Sequence, residues 1–415
     1  MDGKFSRRTF LAGVGATVAG ARTAFADTND PALDLLRSGN SAEWSDSFDS
    51  VSPTKVVRDF QPTLSKSAVK DIEAALGAYT KIVDQGGWKK VTTTNRLSLG
   101  VRDRKVGDLR KRLIVSGDLD PSLTGSEVFD SYVEAAVKNF QLRHGIAVDG
   151  VISTITLSAL NVSADARLKQ LETNRVRLRS LSGRLGKRFV VVNVPAAEIE
   201  TVEGGRVHSR HTGVVGKIDR QTPILNSKIF EVNFNPFWTV PKSIIRKDLI
   251  PFMQEKPNYL TEHRIRIYTE AGKELQPEEV NWFSEEAVDY RFRQEPGEGN
   301  ALGQMRINFP NTHQVYLHDT PNKSLFGTDV RFHSSGCIRV QNVREFVRWL
   351  LKDTRGWDRT AINETIKSGE RIDAKMSRAV PLYLTYVTAW GTPTGAVHFR
   401  DDIYDRDGLG PVALQ

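Results

Sequence analysis

The hydrophobic period of the chain changes at Phe189, and that change limits the folds open to it. Upstream, apolar residues recur every three or four positions: Val69, Ile72, Leu76 and Tyr79, then Val106, Leu109 and Leu113, then Val133, Ala136, Val137 and Phe140. Such spacing gathers each set on one face of a helix. Downstream, "FVVVNVP" is a short buried strand, Phe230, Val232 and Phe234 alternate within "SKIFEVNFNPFWTVP", and "THQVYLH" and "VPLYLTYVTAW" continue as strands. One clear helix follows, "VREFVRWLLKD", with Val343, Phe346, Val347, Leu350 and Leu351 on its core face and Asn342 with Glu345 in capping-box spacing. The expected class is α+β multidomain, helical in its first half and β-rich, as a mixed sheet or sandwich, in its second.

Composition divides the chain further. Residues 1–26 read as an export signal, 27–95 as a helical scaffold region ending at the Gly86-Gly87-Trp88 break, and 96–163 as a small three-helix unit. Residues 164–188 carry eight Lys and Arg against two Asp and Glu, with Leu168, Leu171, Leu178 and Leu185 on one face. They read as a basic linker helix, either solvated around its leucine stripe or in contact with an anionic polymer. Residues 189–405 form the β-rich domain, within which the polar stretch 241–303 reads as an inserted lid, and 406–415 form a tail.

The signal fixes the compartment. Arg7 and Arg8 precede a 13-residue apolar and small-residue run, Thr9 to Ala21, and Ala24-Phe25-Ala26 offers a cleavage site. The run falls short of the ~20 residues of a spanning helix. The paired arginines resemble a twin-arginine signal, which implies the twin-arginine export machinery as a partner and a periplasmic, wall-associated product. The formal charge of +8 falls to about +5 once the signal is removed, because Lys4, Arg7, Arg8, Arg22 and Asp2 leave with it. A basic exported protein meets wall polymer or anionic glycan before it meets nucleic acid, so nucleic-acid binding is not expected, nor is an integral membrane span in the mature chain.

The chain has one cysteine, Cys337, in "RFHSSGCIRVQN". A lone cysteine cannot form an intramolecular disulfide, and Ser334-Ser335-Gly336 ahead of it is loop chemistry, which points to a nucleophile. At an ordinary thiol pKa of ~8.5 it needs a base. Two of the eight histidines are near in sequence: His318, ending "HQVYLH", and His333, in the cysteine's own loop. A strand end holds an imidazole more rigidly than a loop does, which favours His318. Tyr316 shares the strand face of His318 by parity, and Trp238 ends a neighbouring strand pattern. His208 and His211 have ligand-like spacing but no Cys or carboxylate cluster beside them, and read as solvated residues of a polar hairpin; no metal and no cofactor is expected. "GEGNALG" has neither the strand before nor the helix after that nucleotide binding requires.

Two resemblances sharpen this reading. Ala136-Val137, Phe140-Gln141, Gly145 and Asp149-Gly150 are similar to the pattern of the peptidoglycan-binding domain, which implies either glycan binding or a scaffold role for 96–163. His318-Asp319-Thr320-Pro321, followed by Ser334-Ser335-Gly336-Cys337-Ile338-Arg339-Val340, resembles the signature of the L,D-transpeptidase family, often called YkuD-type, in its large periplasmic branch. Ser335 stands where many members have His. The resemblance implies that Cys337 attacks a stem-peptide carbonyl at diaminopimelate and that His318 is the base, oriented by the backbone carbonyl of Asp319. Amides around Ser335 and Gly336 would hold the oxyanion, and Ser334, Tyr316, Arg339 and Trp238 would contact substrate or fix the loop. The implied reaction is 3→3 cross-linking, with L,D-carboxypeptidase action, lipoprotein attachment or release, and an idle wall-binding scaffold as alternatives, and carbapenems as acylating inhibitors.

Overall fold

The computed structural model describes residues 61–183 and 185–408. The export signal lies outside the described residues, as do the start of the helical region and most of the tail. Among the described residues no helix is long and apolar enough to cross a membrane.

Helices come first: α1 (Ala68–Asp84), α2 (Arg104–Val115), α3 (Ser131–His144), α4 (Thr154–Asn161) and α5 (Ala164–Ser182). The last four begin at Asp103, Asp130, Ser153 and Ser163, each of whose side chains accepts a hydrogen bond from a first-turn amide that would otherwise lack a partner. Helix α3 stops at Gly145, whose φ of +69° suits glycine. Helices α2, α3 and α4 close a small core around Leu97, Leu109, Phe129, Phe140 and Leu160. Gln141 explains its place in the Phe-Gln pair: its amide donates to Asp149 Oδ1 at 2.7 Å and accepts from Gly150 N at 2.9 Å, tying α3 to the Asp-Gly turn.

The strands follow: β1 (Arg188–Asn193), β2 (Glu198–Glu203), β3 (Arg206–Gly216), β4 (Leu225–Phe234), β5 (Trp238–Thr239), β6 (Ile265–Tyr268), β7 (Glu274–Leu275), β8 (Arg291–Gln294), β9 (Met305–Asn308), β10 (Leu317–His318), β11 (Phe332–Ser334), β12 (Ile338–Val340) and β13 (Ile372–Thr385), then a hairpin of β14 (Ala389–Gly391) and β15 (Val397–Phe399). Nine of them form one mixed sheet in the order β11-β3-β12-β10-β9-β4-β13-β1-β2. Because β2 also pairs with β3, the ladder returns on itself. The enclosed core holds Val190, Ile229, Val232, Phe234, Ile307, Leu317 and Ile338, packed against Phe346, Val347 and Leu350 of helix α6 (Val343–Leu351).

A second core lies outside β1 and β2. There Ile72 and Tyr79 of α1 and Leu171 and Leu178 of α5 meet Phe189, Val202 and the terminal hairpin residues Ala389 and Phe399. The hairpin also receives the three-helix unit: His144 stacks on Phe140 and Phe399 at 3.8 and 5.6 Å between ring centroids, Arg143 donates to the Val397 carbonyl at 3.0 Å, and Arg400 returns a hydrogen bond to the Arg143 carbonyl.

Several expectations change. Helix α5 is not a solvated linker: Arg167 lies over the Phe399 ring, Asn174 is fully buried on Thr388, and Arg177 pairs with Asp407, so part of its charge is spent internally. Phe230 is 41% exposed and Ile229 takes the core position, because the β4–β13 register shifts between Lys375 and Val380 and breaks the alternation. Only Leu317 and His318 of "THQVYLH" are strand; Asn311 folds the residues before them by donating to the Val315 carbonyl at 2.8 Å. Asn342 sits in the left-handed region with no capping hydrogen bond. His211 is not solvated; it is buried between Ser209 Oγ and the Gln341 carbonyl. The 241–303 stretch is a folded unit with a core of Ile245, Phe252, Leu260, Ile267 and Phe292, and its strands complete a sheet, in the order β5-β8-β6-β7, with β5 just ahead of it.

Helix α6 follows the cysteine loop directly, so its packing positions that loop. Phe346→Ala, which empties a fully buried ring site, is expected to destabilise the chain by about 3–5 kcal/mol in urea unfolding, against less than 0.5 kcal/mol for an exposed control such as Arg348→Ala.

Candidate active site

The site is built by one short pairing. Strands β10 and β12 run parallel with Leu317 opposite Ile338 and His318 opposite Arg339. Side chains alternate along a strand, so Leu317 and Ile338 enter the core while Tyr316, His318, Cys337 and Arg339 share the opposite face. Arg306 joins them, since β9 pairs it with His318, and its guanidinium lies over the Tyr316 ring at 4.3 Å.

His318 is buried, and its Nδ1 is hydrogen-bonded to the Asp319 carbonyl. A carbonyl only accepts, so Nδ1 carries the proton and Nε2 holds the lone pair a base needs. Burial, reinforced by the positive charges of Arg339 and Arg306, lowers the imidazole to about 3. Cys337 is half-buried, and burial pushes its thiol above the ordinary value, although Tyr316 and the two arginines pull the other way. The resting pair is therefore neutral thiol and neutral imidazole, so Cys337 would have to give up its proton before or as it acted as a nucleophile.

The tyrosine ring lies 5.7 Å from the His318 ring, centroid to centroid. Burial pushes its hydroxyl well above the ordinary value, and Cys337 and Trp238 are among the groups that act on it. Trp238 comes from β5, the first strand of the inserted unit's sheet, so that unit reaches the surroundings of Tyr316.

Other expected residues act differently from the sequence reading. Ser334 does not face a substrate: it is 3% exposed, and its hydroxyl donates to the Cys337 carbonyl and accepts from Gly336 N. That spends the Gly336 amide, which leaves those of Ser335 and Cys337 as the loop donors open to an oxyanion. Gly336 contributes its backbone instead, with φ of +110°, where an L side chain is strained. His333 is turned aside, its Nε2 bonded to the Val330 carbonyl at 2.9 Å. Asp319 has a second role: its carboxylate accepts from Gln304 N at 3.0 Å, pairs with Lys323, and lies so close to Gly303 that a Cβ there would meet it at 2.4 Å. It anchors the end of the inserted unit beside the histidine.

Residues 187–362 match the L,D-transpeptidase catalytic domain family, YkuD, and residues 102–160 match the family described as "Putative peptidoglycan binding domain". The catalytic-domain match runs from β1 through helix α6 and includes Cys337 and His318. A Haemophilus influenzae protein named "Putative L,D-transpeptidase" is 36% identical over 219 residues, which are 52% of this chain and 44% of that one. The chain thus spans less than half the length of that relative. Among solved structures, an L,D-transpeptidase of Xylanimonas cellulosilytica covers 71% of this chain and 99% of its own at 13% identity and a TM-score of 0.24. One from Mycobacterium smegmatis covers 48% and 58% at 12% identity and 0.25. Neither superposes closely enough to carry its geometry over.

Within the matched segment, sequence reading missed Arg306, Arg220 and Thr222. Arg306 could have been found from the alternation of β9; the other two back the cysteine loop from more than a hundred residues away, and no local pattern announces them. Thr222 Oγ1 donates to the Gly336 carbonyl at 3.0 Å and accepts from Gly216 N at 2.9 Å.

Two tests follow from this geometry. Alkylation of Cys337 by iodoacetamide should be slow at neutral pH and keep climbing past pH ~8.5, since a raised thiol pKa withholds thiolate until the solution is alkaline. No plateau should appear between pH 5 and 8; one there would mean a resting thiolate–imidazolium pair. Gly336→Ala should lower the rate of Cys337 acylation by roughly 10²-fold, the usual loss when an oxyanion donor is displaced, while the melting temperature moves by only a few degrees.

Proposed function

We propose that this protein is a peptidoglycan L,D-transpeptidase that joins stem peptides by 3→3 cross-links through a thioester on Cys337. The observation that carries the reading is the shared face of Cys337 and His318, with Nδ1 of the histidine committed to the Asp319 carbonyl and Nε2 left as the base. The domain match supplies the reaction class and the peptidoglycan-binding match the polymer.

In the first half-reaction His318 Nε2 takes the Cys337 proton as sulfur attacks the carbonyl of the diaminopimelate L-centre in a tetrapeptide stem. The negative oxygen is held by the Ser335 and Cys337 amides. Collapse breaks the bond to the terminal D-alanine, whose nitrogen receives the proton from His318, and leaves the acyl group on sulfur. In the second half the side-chain amine of another diaminopimelate attacks the thioester, gives its proton to Nε2, and frees the thiol. A neutral resting pair suits both halves, because an imidazole near 3 returns its proton readily to the departing nitrogen. Tyr316 and Trp238 line the approach, and Arg339 and Arg306 keep the face positive for the stem's carboxylates. Exit by a twin-arginine signal, work in the periplasm and acylation by carbapenems belong to the same proposal.

Mass spectrometry of disaccharide tetrapeptide incubated with the protein tests it. The expected product is a cross-linked dimer lacking one D-alanine, absent with Cys337→Ala and reduced at least 10³-fold with His318→Ala. Tripeptide alone would assign an L,D-carboxypeptidase; unchanged substrate, with a retained thiol mass, would sink the transpeptidase reading.

A further inference from the structure

The turn after β3, Ile218–Arg220, passes beneath the cysteine loop and meets the inserted unit on its other side. Arg220 bridges the two. Its guanidinium forms a bidentate pair with Asp248, Nη1 to Oδ2 at 2.5 Å and Nη2 to Oδ1 at 2.7 Å, and Nη1 also donates to Ser335 Oγ at 3.0 Å. Both charged side chains are largely buried. Asp248 lies in a single π-helical turn, Ile245–Leu249, whose Ile245 and Leu249 belong to the core of the inserted unit. An aspartate fixed in that core thus holds the arginine that holds Ser335, two residues before Cys337.

The surrounding bonds make this link stiff. Lys217 N donates to the Ser334 carbonyl at 3.0 Å and Thr222 Oγ1 to the Gly336 carbonyl, so the segment carrying Arg220 is the floor of the cysteine loop. A planar guanidinium gripping a carboxylate with two parallel hydrogen bonds fixes orientation as well as distance, which a lysine ammonium does not. A buried pair of this kind cannot lose one member without leaving the other charge uncompensated, so unit and loop stay together. The far end of the unit is tied independently, by Asp319 to Gly303 and Gln304.

We propose that Arg220 is a positioning residue for acylation: gripped by Asp248 of the inserted unit, it fixes Ser335 and the loop amides beside Cys337, so that docking of the unit sets how fast the thiol is acylated. The inference rests on the proposed acyl-transfer reaction and adds to it a mechanical link between the cap and the oxyanion donors.

The test separates two reactions of the same sulfur in the full chain. Acylation by a carbapenem, followed by intact mass, needs the oxyanion donors; alkylation by iodoacetamide needs only an accessible thiol. Asp248→Asn and Arg220→Met are each expected to slow acylation 10- to 100-fold while alkylation stays within about threefold. Arg220→Lys should recover part of the loss, and the double variant Arg220→Met/Asp248→Asn should be little worse than either single one, since the pair acts as a unit. Unchanged acylation in Asp248→Asn overturns the inference, as does an equal fall in alkylation and acylation, which would mean a general loss of the site. A wild-type chain that is never acylated at Cys337, yet is alkylated there, overturns the proposed function and this inference with it. Wild-type acylation with indifferent variants sinks the inference alone.

Discussion

Two residue pairs in register, Leu317 with Ile338 and His318 with Arg339, carry the architecture of the site. Strand alternation divides them so that one pair seals the core beneath α6 and the other turns outward with Cys337 and Tyr316. A slip of one residue would send His318 into the core and Leu317 toward the thiol, which makes the register self-enforcing: both His318 and Arg339 are buried already, and moving them among Phe234, Ile307 and Phe346 would take them from polar surroundings to purely apolar ones. Catalytic geometry and hydrophobic packing are consequently one constraint, and the two-residue length of β10 is enough because its neighbours β9 and β12 clamp it on both sides.

Electrostatics on that face runs against the usual image of an activated cysteine. Two arginines stand beside the pair, yet burial dominates: it raises the thiol and, with the same arginines, lowers the imidazole. A thiolate at rest on the half-buried Cys337 would attract oxidants and metal ions. In the proposed reaction a neutral pair would avoid this and defer charge to the moment a carbonyl reaches the Ser335 and Cys337 amides, whose field would stabilise the transition state rather than the resting thiol. Cation charge near the site would then serve the proposed substrate and its developing oxygen more than the sulfur.

What could be read from sequence was what depends on near neighbours. Helical spacing located α2 and α3 and the core face of α6 because side chains three and four apart share a face whatever surrounds them. The Cys337 and His318 pair was visible because each sits in a short patterned segment. Failures cluster where a distant partner decides. Phe230 lost its place to Ile229 through a register shift on β13, 140 or more positions away in sequence. Ser334 is the exception, because its partners lie only two and three residues on: it reads as a substrate contact until the turn at Gly336 brings the Gly336 amide and the Cys337 carbonyl onto its hydroxyl. The charge of α5 reads as solvent-facing until Phe399, Thr388 and Asp407 arrive from the far end of the chain. In each case local chemistry was unchanged and only the partner was missing.

The same terminal hairpin that corrects α5 also governs the three-helix unit. Arg143 reaches the Val397 carbonyl, Arg400 reaches back to Arg143, and His144 stacks on Phe399 as well as Phe140. Gly145 is closed against Arg400 so tightly that a Cβ would meet its guanidinium at 2.6 Å. Reciprocal backbone hydrogen bonds from Arg143, which Asp118 holds in place, and from Arg400 specify orientation in a way that apolar contact alone does not, because a rotated docking would break both. A glycan-binding unit on a flexible tether would only raise the local concentration of its polymer near the site. Under the proposed function, one held at a fixed angle would do more: it would present a bound strand to Cys337 from a set direction, so that geometry as well as affinity would select which stems arrive.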